Sequence, residues 1–98
     1  MFRHTVLFRF SPESTTEQVE AMTAGLSTLP GQIPEIRSYQ IGSNVGDSVE
    51  NWHYAIVADF DDRDSWLSYR DNPVHQEVIR EYIHPILADR AAVQYEVG

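Results

Sequence analysis

Phe2-Arg3-His4-Thr5-Val6-Leu7-Phe8-Arg9-Phe10, "FRHTVLFRF", carries a strict two-residue rhythm near the start of the chain. Phe2, His4, Val6, Phe8 and Phe10 fall on one side of an extended backbone, and Arg3, Thr5, Leu7 and Arg9 on the other. The pattern predicts a strand with one buried face. It returns from Trp52 to Phe60, where Trp52, Tyr54, Ile56, Ala58 and Phe60 oppose His53, Ala55, Val57 and Asp59. Strands of this kind need helices over their apolar side. Ser14-Thr15-Thr16-Glu17 fits a capping box, and Val19, Met22, Leu26 and Leu29 then recur at helical spacing until Pro30-Gly31 ends the run. "EIRSYQIG" reads as a second, less apolar strand, closed by the loop "GSNVGDSVEN". Asp61 or Asp62 can cap a helix that carries Trp66, Leu67 and Tyr69 and stops at Asn72-Pro73. A further helix is expected from Pro73 to about Leu87, with His84-Pro85 near its end, and a last strand from Ala91 to Val97.

This order, βαββαβ with the second α interrupted, predicts an α+β, ferredoxin-like protomer: an antiparallel sheet with helices on one face, forming a single domain over residues 1–98. The other face is expected to carry Leu7, Tyr39, Ile41, Ala55 and Val57. An apolar face left uncovered on so small a domain calls for a partner, and the economical one is a second copy, sheet against sheet. A homodimer is therefore expected.

Composition removes several classes of function. The chain has no cysteine, which excludes disulfides, thiolate metal sites and cysteine nucleophiles, and no lysine, which excludes Schiff-base chemistry. The formal charge is −8 and the seven basic residues are arginines scattered from Arg3 to Arg90, so no basic cluster exists to neutralise nucleic-acid phosphates. The longest apolar run, Tyr54 to Ala58, is far too short for a bilayer, and the first ten residues do not read as a signal peptide. The expectation is a cytoplasmic protein without nucleic-acid or membrane partners.

The break "SYRDNPVH", residues 68–75, is the most specific local feature. Asn72 suits an N-cap and Pro73 the first helical position, which puts His75 in the first turn. Val78, Ile79, Tyr82 and Ile86 follow at three- and four-residue steps, so His75 heads an inward stripe. The positive potential of a helix start favours a neutral imidazole there, and a neutral, partly buried histidine can act as a general base. A satisfied core histidine explains the spacing equally simply. His4 changes the comparison, because it lies on the strand face that also carries Val6 and Phe8. Two histidines and Tyr69 from three different elements exceed what packing alone requires, and predict a small apolar pocket bordered by His4, Tyr69 and His75 and lined by Val6, Phe8, Met22, Leu26, Val78 and Ile79.

Other signals carry less. "DFDDRD" begins with the spacing of a calcium loop but lacks its glycine and its closing glutamate, and reads as an acidic helix start. "GSNVG" lacks the lysine of a phosphate loop and reads as a hairpin connection. His53 and His84 have no ligand spacing with another histidine, Trp52 and Trp66 read as packing anchors, and no metal or cofactor is expected.

Taken in order, "RHTVLFRF", "LPGQIPEIRSYQIG", "NWHYAIVADF", "YRDNPVHQEV" and "RAAVQYEV" make the whole chain resemble the stress-responsive A/B barrel (Dabb) family. The resemblance implies a ferredoxin-like protomer that dimerises through its sheets into a barrel. It also implies a reaction, because a plant member of the family closes a linear polyketide by aldol condensation without a cofactor. By that resemblance His75 and Tyr69 match its catalytic histidine and tyrosine, and His4 its strand histidine. Asn72 departs from the pattern, in which a histidine often precedes the proline. The enzyme reading makes His75 the base, Tyr69 the oxyanion donor or orienting hydroxyl and His4 a supporting polar group, acting on a small carbonyl or polyketide-like compound. Two alternatives stand beside it: a non-catalytic stress-related or structural homodimer, and a monooxygenase of the wider dimeric α+β barrel group. Trp66 and His75 resemble a pair found in haem-degrading members of that group, although His4 stands where an asparagine would be expected.

Overall fold

The computed structural model describes residues 1–98 and contains one antiparallel sheet, order β2-β3-β1-β4, built from β1 (Phe2–Phe10), β2 (Ser38–Ser43), β3 (Tyr54–Phe60) and β4 (Leu87–Glu96). Helices α1 (Thr16–Ser27), α2 (Leu29–Gln32), α3 (Arg63–Asp71) and α4 (Pro73–Val78) connect the strands, and α4 runs into a π-helical turn, Ile79–Ile83. This is the expected ferredoxin-like α+β plan. Its two longest strands lie side by side in the register Phe2↔Glu96 to Phe10↔Leu87, and beyond them Met1 and Val97 exchange backbone hydrogen bonds.

Local chemistry explains where the elements start. Thr15 is the N-cap of α1: its hydroxyl accepts from the Gln18 N–H while the Gln18 side chain accepts from the Thr15 N–H, so the capping box sits one residue later than "STTE" suggests. Asp62 caps α3 through Ser65, and Asn72 caps α4 through the Val74 N–H, with Pro73 in the first turn. The inner face of the sheet and the helices share a core that includes Val6, Phe8, Met22, Leu26, Leu29, Ile33, Tyr54, Ile56, Phe60 and Ile83.

Two expectations are corrected. The last helix does not reach Leu87: regular α-helix ends at Val78, the π turn at Ile83, and Leu87 already belongs to β4. His84 still has helical backbone, with φ −52° and ψ −42°, but Pro85 has no N–H to continue the ladder, and a turn over residues 84–86 leads into β4. Tyr39 and Ile41 are not on the outer face. They pair with Ala58 and Ile56, which are buried beneath the helices, and cross-strand partners share a face. The outer face instead holds Leu7, Ala55 and Val57 with Ala91, Val93 and Tyr95 of β4, beside a direct Arg3–Asp59 pair with bonds of 2.7 and 2.9 Å. Val93 and Tyr95 are about half exposed, at 54% and 46%, so an apolar uncovered face remains with partly different residues on it. Near its centre the Thr5 hydroxyl is buried without a partner.

Candidate functional site

His4 projects from the middle of β1 toward the helices, Tyr69 descends from the last turn of α3, and His75 enters from the first turn of α4 after the Asn72-Pro73 break. All three are buried. The rings lie in a row: His4 and Tyr69 meet edge to face with centroids 6.3 Å apart, and Tyr69 stacks on His75 at 4.0 Å. Beside them is a cavity of about 240 Å³, walled by Val6, Phe8, Leu26, Ile56, Trp66, Ile79 and Ile83 as well as the three rings, with Arg70, Gln76, His84 and Arg90 as its other polar residues. Of the apolar residues expected there, Val6, Phe8, Leu26 and Ile79 lie in the wall. Met22 and Val78 do not; both are buried in the core away from it.

Hydrogen bonds fix the protons. His75 Nδ1 lies 3.1 Å from the Arg70 carbonyl oxygen, which can only accept, so Nδ1 carries the hydrogen and Nε2 keeps a lone pair with no protein partner. At His4 the arrangement is reversed: the Gln94 side-chain nitrogen, 2.8 Å away, donates to Nδ1, which leaves the hydrogen on Nε2. Tyr69 and Tyr39 bring their hydroxyls within 3.2 Å. Burial pushes both phenols above their ordinary range, and either hydroxyl can donate to the other.

Burial also disfavours the imidazolium forms. The His4 pKa falls to about 4, first from desolvation and then from the charges of Arg90 and His75. His75 is likewise lowered, chiefly by desolvation and in part by Arg90, against the opposing effect of its backbone bonds. At neutral pH the site therefore holds two uncharged imidazoles, one with an N–H and one with a lone pair available. Sequence reasoning missed four participants: Tyr39, Gln94, Trp66 as a wall residue, and Arg90. Gln94 and Arg90 share the His4 face because of the β1–β4 register, a long-range pairing with no local signal. No three histidine, aspartate or glutamate side chains are grouped closely enough to hold a metal ion.

A ferredoxin-like sheet with a helix-covered cavity and a free outer face defines an α+β barrel protomer. The chain belongs to the family described as the Stress Responsive A/B Barrel Domain, whose model matches residues 2–97. It is 30% identical over 94 residues to the uncharacterized protein SCO4036 of Streptomyces coelicolor, covering 91% of this chain and 97% of that one. Among solved structures it is similar to a dimeric ferredoxin-like protein of unknown function from Thermobifida fusca, with 41% identity, a TM-score of 0.90, and coverage of 98% of this chain and 90% of that chain. A hydroxynitrile lyase from Passiflora edulis has the same fold, with a TM-score of 0.86 at 20% identity over 99% of this chain and 93% of the lyase.

Proposed function

We propose that this protein is a homodimeric α+β barrel whose protomer cavities catalyse cofactor-independent proton transfer on a small carbonyl compound. The observation that carries this reading is the pair of oppositely protonated, buried, neutral imidazoles on one apolar cavity. His75 Nε2 removes a proton from the carbon next to the carbonyl. The negative charge that develops on the carbonyl oxygen is met by the His4 Nε2–H and the Tyr69 hydroxyl, which lies 3.2 Å from the Tyr39 hydroxyl. The buried apolar residues of the wall, Val6, Phe8, Leu26 and Ile56, lower the local polarity and strengthen these bonds. That the same fold serves a hydroxynitrile lyase agrees with this reading, as does the dimeric state of the Thermobifida fusca protein.

The test is proton–deuterium exchange at the α-carbon of small neutral ketones in D₂O, followed by NMR. Wild-type protein should accelerate exchange, and His75→Gln should lower the rate by roughly 10²–10⁴. Tyr69→Phe should bind the same ketone but exchange it more slowly, because it loses only the hydroxyl. Absence of exchange, together with loss of folding in His75→Gln, would instead favour a non-catalytic structural dimer.

A further inference from the structure

Arg90 is a charge that the proton transfer does not use. It lies on β4 directly opposite Phe8, on the helix-facing side of the sheet, and contributes to the cavity wall. The other arginine of the wall, Arg70, is matched by Asp71 through bonds of 2.9 and 3.2 Å. Arg90, which is exposed to solvent as well as lining the cavity, has no such match. No carboxylate lies within ion-pairing distance of its guanidinium, and its neighbour Asp89 accepts only from the Arg90 backbone N–H. Not one acidic residue lines the cavity, although the chain as a whole carries a formal charge of −8. The Arg90 charge also reaches all three rings: it adds a smaller effect to the desolvation that keeps His4 and His75 unprotonated, and it partly offsets the burial that raises Tyr69.

A cavity with one unanswered cation, neutral polar groups and no carboxylate is complementary to a ligand that brings a negative charge. We propose that the ligand is a short carboxylate with an apolar body, its carboxylate held by the Arg90 guanidinium at the β4 side and its body lying against Val6, Phe8, Leu26 and Ile79. Guanidinium and carboxylate match as a two-bond pair. Size sets the length: 240 Å³ is roughly the share of eight liquid water molecules, enough for an acid of about six carbons. This inference deepens the proton-transfer reading, on which it rests for the placement of the ligand's carbonyl group near His75. It makes the substrate class an oxo acid.

Hexanoate and hexanamide test it without requiring any reaction, since they have nearly the same shape and differ in charge. Affinities are measured by calorimetry or by Trp66 fluorescence for wild type, Arg90→Gln and His75→Ala, each checked for native circular dichroism. Wild type should bind hexanoate about fivefold or more tightly than hexanamide, and that preference should shrink as salt is raised. Arg90→Gln should bring the ratio close to one while His75→Ala preserves it. Equal binding of the two probes, saturable binding of neither at millimolar concentration, or a preference that survives Arg90→Gln overturns the proposal. The two readings fail separately: hexanoate preference without ketone exchange removes the acid–base chemistry alone, and ketone exchange without hexanoate preference removes the anion site alone.

Discussion

Lowering the pH from 7 to 5 should destabilise this protein, with His4 as a principal cause. In the unfolded chain a histidine titrates near 6.5, whereas in the folded protein His4 is held to about 4. Between those values the unfolded state binds more protons than the native one, so stability is full above about 6.5 and is lost as the pH falls toward 4. Integrating that difference from pH 7 to 5 gives a loss of about 2 kcal/mol for His4 alone. The physical source is the ring's position between Trp66 and Tyr69, with centroids 5.5 and 6.3 Å away, where a charged imidazolium would lose its water. His75, also lowered, adds to the loss in the same direction. For a domain of this size about 2 kcal/mol corresponds to a fall of roughly 10 °C in Tm. The assay is thermal unfolding by circular dichroism at pH 7 and 5, at fixed ionic strength and protein concentration, for wild type and His4→Phe. The phenyl ring fills the same space without titrating, so its pH dependence should be shallower by the His4 share. An unchanged wild-type Tm between the two pH values, or an equal fall in His4→Phe, would refute the reasoning.

Three further outcomes follow from packing and capping. Val57→Asp places a carboxylate on the half-buried outer face and should convert the proposed dimer to monomer or aggregate in sedimentation velocity; a dimer undisturbed by the substitution would mean that this face is not the interface. Leu26→Ala truncates a fully buried residue shared by the core and the cavity wall and should cost about 3 kcal/mol in urea unfolding, while enlarging the cavity. Thr15→Ala removes the side-chain acceptor of the α1 capping box and should cost about 1 kcal/mol, visible as a lower urea midpoint with an unchanged slope.

Strands β1 and β3 were legible because each alternates with one largely apolar side, and the helix starts were legible to within a residue because Thr15, Asp62 and Asn72-Pro73 act on their immediate neighbours. The side on which β2 places Tyr39 and Ile41 was not, because a shift of one residue reverses a strand's faces and only the pairing Tyr39↔Ala58 fixes it. The end of the last helix misled for a related reason: Ile83, Ile86 and Leu87 continue an apolar rhythm that suits a helix, whereas Pro85, without an N–H, marks where the helical ladder stops. In the site, His4, Tyr69 and His75 could be grouped from strand alternation and helical spacing. Proton placement could not, since it depends on the Arg70 carbonyl and on Gln94, ninety positions from His4. Arg90 looked like one of many scattered arginines until the β1–β4 register put it opposite Phe8.

The adjacency of β1 and β4 has a consequence for biosynthesis. On the ribosome β1 is made first and β4 follows every other element, so β1 must wait with one hydrogen-bonding edge unpaired while the chain between them is translated. At about 5–20 residues per second that interval lasts several seconds, during which the β1 edge is open to mispairing with another nascent chain. Gln94 and Arg90 arrive only with β4, so the partly formed protein has its histidines before it has the amide that sets the His4 tautomer or the cation beside the cavity. Slowing translation between β3 and β4 should therefore raise aggregation before it affects the properties of the molecules that complete folding.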